Sequence, residues 1–193
     1  MSTQTHIQAN KTLDCQGLAC PMPIVRTRKA MDELEPGQVI EVQATDKGSL
    51  ADLKGWAQHT GHHYLGTVHN GELMRHFIRK SSPQELKAEQ MHPLTVTGQQ
   101  LEQKLAANVG LTVLDVREPA EYAFNHISGA LSIPLNELEL RIGELASDEE
   151  IHVVCRTGYR SDLACQLLAG KGFKQVINVE AGMNGWTGST EQA

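Results

Sequence analysis

The chain has 193 residues, 40% apolar and 21% charged, a composition that fits a globular protein and excludes a disordered one. Lys and Arg number 17 against 23 Asp and Glu, a net charge of −6, and aromatics are 4%; both exclude a general nucleic-acid binder, which needs a basic footprint and stacking platforms. No apolar run is long enough to span a membrane and the start, Met1–Asn10, is polar, so no membrane segment or secretory leader is expected and the protein is read as cytoplasmic.

In chain order, Ile7–Leu13 reads as a strand ending near Cys15-Gln16-Gly17. A helix follows over Met22–Leu34, with Ile24, Thr27, Met31 and Leu34 on one face. Gln38–Ala44 reads as a strand and Ser49–His59 as a second helix presenting Leu50, Leu53 and Ala57 to the core. Two strands, His63–His69 and Glu72–Ile78, flank Asn70-Gly71, a hairpin signal. The order βαβαββ predicts a two-layer α/β sandwich, two helices on one four-stranded sheet, over residues 6–80.

Residues 81–93 are polar and hold Pro83 and Pro93, the composition of a linker with room for a short helical stretch. Charge divides there too. Residues 1–80 carry 9 basic and 8 acidic side chains, net +1, whereas residues 81–193 carry 8 and 15, net −7.

Over residues 94–191 short apolar strands at Leu111–Asp115, Ala130–Ile133, Ile151–Cys155 and Val176–Val179 alternate with helical stretches at Thr97–Ala107, Ala120–Phe124, Leu135–Leu145 and Ser161–Leu168. Alternation of this kind predicts an α/β domain whose parallel sheet is covered by helices on both faces, with its ligand site beyond the carboxyl ends of the strands.

Cys155 falls at such an end. A cysteine between a strand end and a helix start faces backbone N–H groups and the positive end of the helix dipole, which favour thiolate over thiol. The loop Arg156-Thr157-Gly158-Tyr159-Arg160 adds two cations and a glycine able to take positive φ. The expected result is a cradle for a small anion on the Cys155 sulfur, suited either to sulfur transfer through a persulfide or to phosphate-ester hydrolysis. Four residues separate Cys155 from Arg160, one fewer than in cysteine-dependent phosphatases, so the smaller sulfane sulfur is favoured.

Residues of about 95–190 resemble a rhodanese domain. The likeness lies in Leu114-Asp115-Val116-Arg117-Glu118 with His126-Ile127-Ser128-Gly129-Ala130, in the loop Cys155–Arg160 followed by Ser161, and in Gly182-Met183-Asn184-Gly185-Trp186. Ser128 stands where proline is usual and Ala181 where a first glycine is usual. The resemblance implies a Cys155 persulfide, with Asp115 and Arg117 bracing the site.

In the first domain, Cys20-Pro21-Met22-Pro23 puts two prolines at a helix start, where missing N–H groups cost nothing. Cys20 is thus expected at or beside the N-cap, its thiolate or persulfide stabilised by the dipole and by a collar of Arg26, Arg28 and Lys29. Residues of about 8–80 resemble the TusA/SirA-like sulfur carriers through Leu13–Pro23, Lys29-Ala30-Met31 and Thr60-Gly61-His62, with Asp46-Lys47 replacing the usual Asp-Pro. The resemblance implies that Cys20 carries a persulfide passed between proteins.

Cys15 and Cys165 are read as structural, as are Trp56 and Trp186, and no metal site is expected at His59, His62 and His63 for want of an acidic or thiol ligand at recognised spacing. The combined expectation is a sulfur relay needing no cofactor beyond covalent persulfides: Cys155 takes sulfane sulfur from thiosulfate or a persulfide-donating protein and exchanges it with Cys20 for a sulfur-accepting protein. Independent activities of the two domains, and a redox-regulated adaptor, are the alternatives.

Overall fold

The computed structural model describes residues 7–86, 91–107 and 110–193, and the chain divides into two compact units, Met1–Pro83 and Gln84–Ala193. Each is taken by itself.

The first unit runs β1 (Lys11–Cys15), α1 (Met22–Asp32), β2 (Val39–Ala44), α2 (Ser49–Thr60), β3 (His63–Asn70) and β4 (Leu73–Arg79), with sheet order β1-β2-β4-β3. β1 lies parallel to β2 and the remaining pairs are antiparallel. α1 contributes Ala30 and Met31 and α2 contributes Leu53 and Ala57 to one core with Cys15, Ile40, Val42 and Ile78, the two-layer sandwich that the element order implied. The β3–β4 hairpin turns at Gly71, whose φ of 64° lies in the left-handed region that glycine enters without strain.

Several expectations shift. β1 starts at Lys11 instead of Ile7, because the ladder begins there: Asn10 closes the end of the pair, its N–H donating to Val39 O at 2.8 Å and its Oδ1 accepting from Val39 N at 2.8 Å. α1 stops at Asp32, and Leu34, although still buried, follows in a tighter turn in which its N–H donates to Met31 O. The buried stripe of α2 is Ser49, Leu53 and Ala57; Leu50, expected in the core, is 38% exposed. Ser49 takes the inward place because its hydroxyl meets His76 Nε2 at 3.0 Å across the core.

The second unit begins within a 3-10 turn, Pro83–Leu86, that straddles its boundary at Gln84 and is the short helical stretch expected within residues 81–93; residues 87–90 of that stretch lie outside the described residues. It continues through β5 (Thr95–Val96), α3 (Gly98–Ala106), β6 (Thr112–Asp115), α4 (Pro119–Phe124), β7 (His126–Ile127), β8 (Leu131–Ser132), α5 (Leu138–Arg141), β9 (Glu150–Val154), α6 (Tyr159–Gly170), β10 (Gln175–Val179) and β11 (Thr190–Glu191). Five strands form a parallel sheet ordered β5-β10-β9-β6-β8, while β7 and β11 form a separate antiparallel pair. α3 begins with a capping box in which Thr97 Oγ1 accepts from Gln100 N and Gln100 Oε1 accepts from Thr97 N.

Side-chain alternation along β9 builds two cores. Ile151, Val153 and Cys155 face Ala164, Cys165 and Leu168 of α6, whereas Val154 faces a second cluster with Leu101 of α3, Ile127 and Val179. Both faces of the sheet are therefore covered. The long helix expected over Leu135–Leu145 is short: after Pro134 the chain makes one turn of α5 and then a 3-10 turn at Ile142–Glu144, with Arg141 held by ion pairs to Glu137 and Glu144. No helix among the described residues is long and apolar enough to cross a membrane.

Candidate functional site

β9 ends at Val154, and Cys155 follows, buried. The chain then turns through Gly158, whose φ of 97° requires glycine, into α6. That turn aims the Gly158 N–H at Cys155 Sγ, 3.1 Å away, and places Ser161 Oγ 3.4 Å from the same sulfur. The sulfur thus sits beside the N-terminus of a 12-residue helix. A backbone donor, a hydroxyl and the positive helix end together favour negative charge on that sulfur or on an atom bonded to it.

The loop is gripped from behind. Met183 N donates to Cys155 O at 2.8 Å and Asn184 N to Arg156 O at 3.0 Å, both from the 3-10 turn Gly182–Gly185. Arg160, buried, does not reach out as a free cation: its guanidinium donates to both carboxylate oxygens of buried Glu121, at 2.8 and 2.9 Å. The Glu121 carboxylate and nearby Glu85 raise its pKa further above the ordinary arginine range against the opposing effect of burial, the largest single influence. Thr157 Oγ1 donates to Glu85 O at 3.4 Å, so the start of the second unit lies against the loop.

Asp115 and Arg117 are buried together one strand away, with Asp115 paired to Val154 and Val116 N donating to Val154 O at 3.0 Å. Arg117 Nε and Nη2 donate to the Asp115 carboxylate at 2.9 and 2.6 Å, and Arg117 Nη2 also reaches Asn125 O at 2.7 Å. The pair ties the end of β6 to the end of α4.

In the first unit, Pro21 caps α1 and Cys20 precedes it through a cis peptide, exposed to solvent. Pro23 is buried and its carbonyl accepts from Thr27 Oγ1 at 2.7 Å. The expected electrostatics are reversed. The Cys20 pKa is raised, first by a hydrogen bond to the Asp52 side chain in the first turn of α2 and then by slight desolvation and the charges of Asp52 and Asp46. The collar of Arg26, Arg28 and Lys29 does not decide its state: Arg26 Nη1 turns back to Asp14 O at 3.3 Å, and Arg28 lines a different cavity. Asp52 and Asp46 bear on the sulfur from α2 and the turn before it, and both disfavour its negative charge.

Cys15 and Cys165 are buried, and burial pushes both thiols up in pKa, which leaves them poor nucleophiles. His59 and His62 line a cavity of about 390 Å³ with Arg28, Met31, Asp32, Trp56 and Thr60. Among the described residues no three His, Cys, Asp or Glu side chains converge in a way that could hold a metal ion.

Three partners were not anticipated: Glu121, Asn178 and Asp52. Asn178 carried a signal, as a polar residue inside the apolar run Val176–Val179, since a buried amide must find partners. Glu121 and Asp52 carried none beyond their helical positions.

Two family descriptions match separate parts of the chain. The description "Sulfurtransferase TusA" matches residues 11–80, and "Rhodanese-like domain" matches residues 97–189. The chain is 47% identical over 185 residues, 96% of its length and 100% of the relative's, to "Putative sulfur carrier protein YrkF" of Bacillus subtilis. A "Sulfurtransferase" of Allochromatium vinosum is 33% identical over 91 residues, 47% of this chain and 85% of that one. A crystal structure of a rhodanese-like domain protein from Staphylococcus aureus superposes with a TM-score of 0.50 at 28% identity, covering 52% of this chain and 98% of that one.

Proposed function

The chain belongs to the family that joins a TusA domain to a rhodanese-like domain, and from that premise we propose that it relays sulfane sulfur between Cys155 and Cys20. The observation that carries the reading is the Cys155 sulfur itself, facing the Gly158 N–H at 3.1 Å at the head of a helix. Such a cradle suits a sulfur that must hold negative charge both as nucleophile and as leaving group.

In the first step the Cys155 thiolate attacks the sulfane sulfur of thiosulfate. An S–S bond forms, the sulfur–sulfur bond of thiosulfate breaks, and sulfite departs with the electron pair. A persulfide-donating protein serves equally, its cysteine thiolate leaving instead. In the second step the Cys20 thiol loses its proton to solvent, and the resulting thiolate attacks the outer sulfur of the Cys155 persulfide. The Cys155 thiolate leaves, and Cys20 bears the persulfide by the logic of thiol–disulfide exchange. The donor supplies the redox balance, thiosulfate being reduced to sulfite as the cysteine is raised to a persulfide, so the scheme calls for no external oxidant.

Arg156, Thr157, Tyr159 and Arg160 shape the anion loop, with Asp115 and Arg117 supporting it, while Pro21 and Pro23 set the start of the helix behind Cys20. Exposed Cys20 suits hand-over to a sulfur-accepting protein in a reducing cytoplasm, and the stretch 81–93 keeps the two thiols at an effective concentration in roughly the millimolar range.

The test is peptide-resolved mass spectrometry of the full chain after brief exposure to thiosulfate, and separately to a persulfide donor, with Cys155→Ser and Cys20→Ser alongside. The relay gives one added sulfur on Cys20 that disappears in Cys155→Ser. Sulfur confined to Cys155 refutes the relay and leaves independent domains, and no uptake from either donor refutes sulfur transfer altogether.

A further inference from the structure

Asn178 sits on β10 with no exposure to solvent, and both ends of its amide are committed to the Cys155 loop. Its Nδ2 donates to Gly158 O at 3.1 Å, and its Oδ1 accepts from Ser161 Oγ at 2.6 Å. Its backbone N–H is satisfied separately by Leu94 O at 2.9 Å. The side chain is therefore no sheet residue that happens to be polar. It is spent wholly on two residues that touch the sulfur.

Each contact has a consequence at Cys155. Gly158 presents its N–H to Sγ from a left-handed conformation, φ 97°, and a hydrogen bond that holds its carbonyl fixes the remaining freedom of that turn. Ser161 has one hydroxyl hydrogen and two acceptors, Asn178 Oδ1 at 2.6 Å and Cys155 Sγ at 3.4 Å. The distances direct the hydrogen to Asn178, which thus competes with the sulfur for it.

We infer that Asn178 is a positioning residue for Cys155: by holding Gly158 O it pins the turn whose N–H meets the sulfur. No covalent bond is made or broken. The inference rests on the reading of Cys155 as the reacting sulfur. The groups around that sulfur that carry charge or titrate are Arg160 with its partner Glu121 and nearby Glu85, Arg156 in the loop, and Cys165 with Asp162 beside it. Asn178 and Ser161 are neutral throughout, so removing them leaves the other charges in place.

The experiment is the rate of Cys155 alkylation by iodoacetamide as a function of pH, resolved by peptide mass spectrometry on the full chain. Asn178→Leu removes the amide at similar volume. It is expected to slow alkylation at pH 7 by about tenfold, with the gap closing at alkaline pH. Asn178→Ser, too short to reach Gly158 O, is the second variant and should show the same pattern should the leucine variant fail to fold. Asn178 competes with the sulfur for the Ser161 hydrogen, so the loss in Asn178→Leu runs through Gly158 and should persist in a Ser161→Ala background. A wild-type profile in either folded Asn178 variant overturns the inference, as does a slowing equal at every pH, the mark of general loosening. Sulfur uptake from thiosulfate is measured on wild type in parallel: its absence would refute sulfur transfer while leaving the alkylation profiles to decide the role of Asn178.

Discussion

Gly182 lies so close behind Cys155 that a Cβ placed on it would sit 2.1 Å from the Cys155 carbonyl oxygen and 2.8 Å from its carbonyl carbon. The glycine also has a φ of 50°, and its turn supplies the N–H groups of Met183 and Asn184 to the loop carbonyls. A side chain there must push the backbone of the active loop forward, with nothing flexible to yield. Gly182→Ala should therefore destabilise the second unit by roughly 3 kcal/mol or more. Urea unfolding reads that loss, and sulfur uptake at Cys155 should fall with it. A stable, fully active Gly182→Ala chain would show that the loop does not depend on this contact.

The buried pair Arg160–Glu121 answers a different question, whether Arg160 serves the anion or the fold. Both guanidinium hydrogen bonds end on Glu121, itself buried, so the cation is committed before any substrate arrives. Glu121→Gln strands a buried charge and should cost about 3–5 kcal/mol. Arg160→Lys cannot restore the fork of two parallel bonds and should fail to recover wild-type stability. Thermal unfolding of both variants checks this. Equal stability of Glu121→Gln and wild type would mean that the pair is dispensable.

Much of the Cys155 site could be read from sequence because its parts are local: a strand, a cysteine, a short loop with glycine and the start of a helix follow one another within residues 150–161. What escaped came from elsewhere in the fold. Glu121 arrives from α4 and Asn178 from β10, and neither position has a period or spacing that announces a partner. The misplacement of Leu50 has the same origin. Helical spacing allows either Leu50 or Ser49 to join Leu53 on the inner face, and the choice is made by His76 on β4, far along the chain. At Cys20 the local argument from the dipole was sound and still lost, because Asp52 comes from the second helix.

Asp52 makes the next prediction. A carboxylate that accepts a hydrogen bond from the Cys20 thiol favours the protonated form, so the thiol ionises at higher pH than an ordinary cysteine. Asp52→Asn removes the negative charge and lowers the pH of ionisation. At neutral pH more of Cys20 is then thiolate, and alkylation of that cysteine should accelerate several-fold, on the order of the effect of one nearby charge. Peptide-resolved alkylation of the full chain between pH 6 and 9 reads the change. Slower or unchanged alkylation would remove Asp52 from the control of Cys20. The acceleration carries a cost in selectivity, because a surface thiol that ionises more readily reacts with more electrophiles, whereas a protonated one waits for a partner able to take the proton.

His76 sets a pH dependence in the first unit. Its Nε2 meets Ser49 Oγ at 3.0 Å, and its Nδ1 meets Tyr64 OH at 2.7 Å and Thr67 Oγ1 at 3.1 Å, with the ring fully buried. Burial, with a smaller push from the charge of His69, lowers its pKa to about 4. In the unfolded chain the same imidazole titrates near the ordinary value of about 6.5, so between these two values the unfolded state binds the extra proton. The stabilisation is thus complete above pH 6.5 and is lost as pH falls toward 4. Wild type should lose about 2 kcal/mol more than His76→Gln between pH 7 and pH 4.5, since glutamine keeps a donor and an acceptor but does not titrate. Unfolding followed by Trp56 fluorescence in a Trp186→Phe chain isolates the first unit, because Trp56 packs on its core and Trp186 on that of the second. Parallel acid losses in the two proteins would mean that His76 titrates alike in the folded and unfolded chain, and that acid sensitivity arises from other groups.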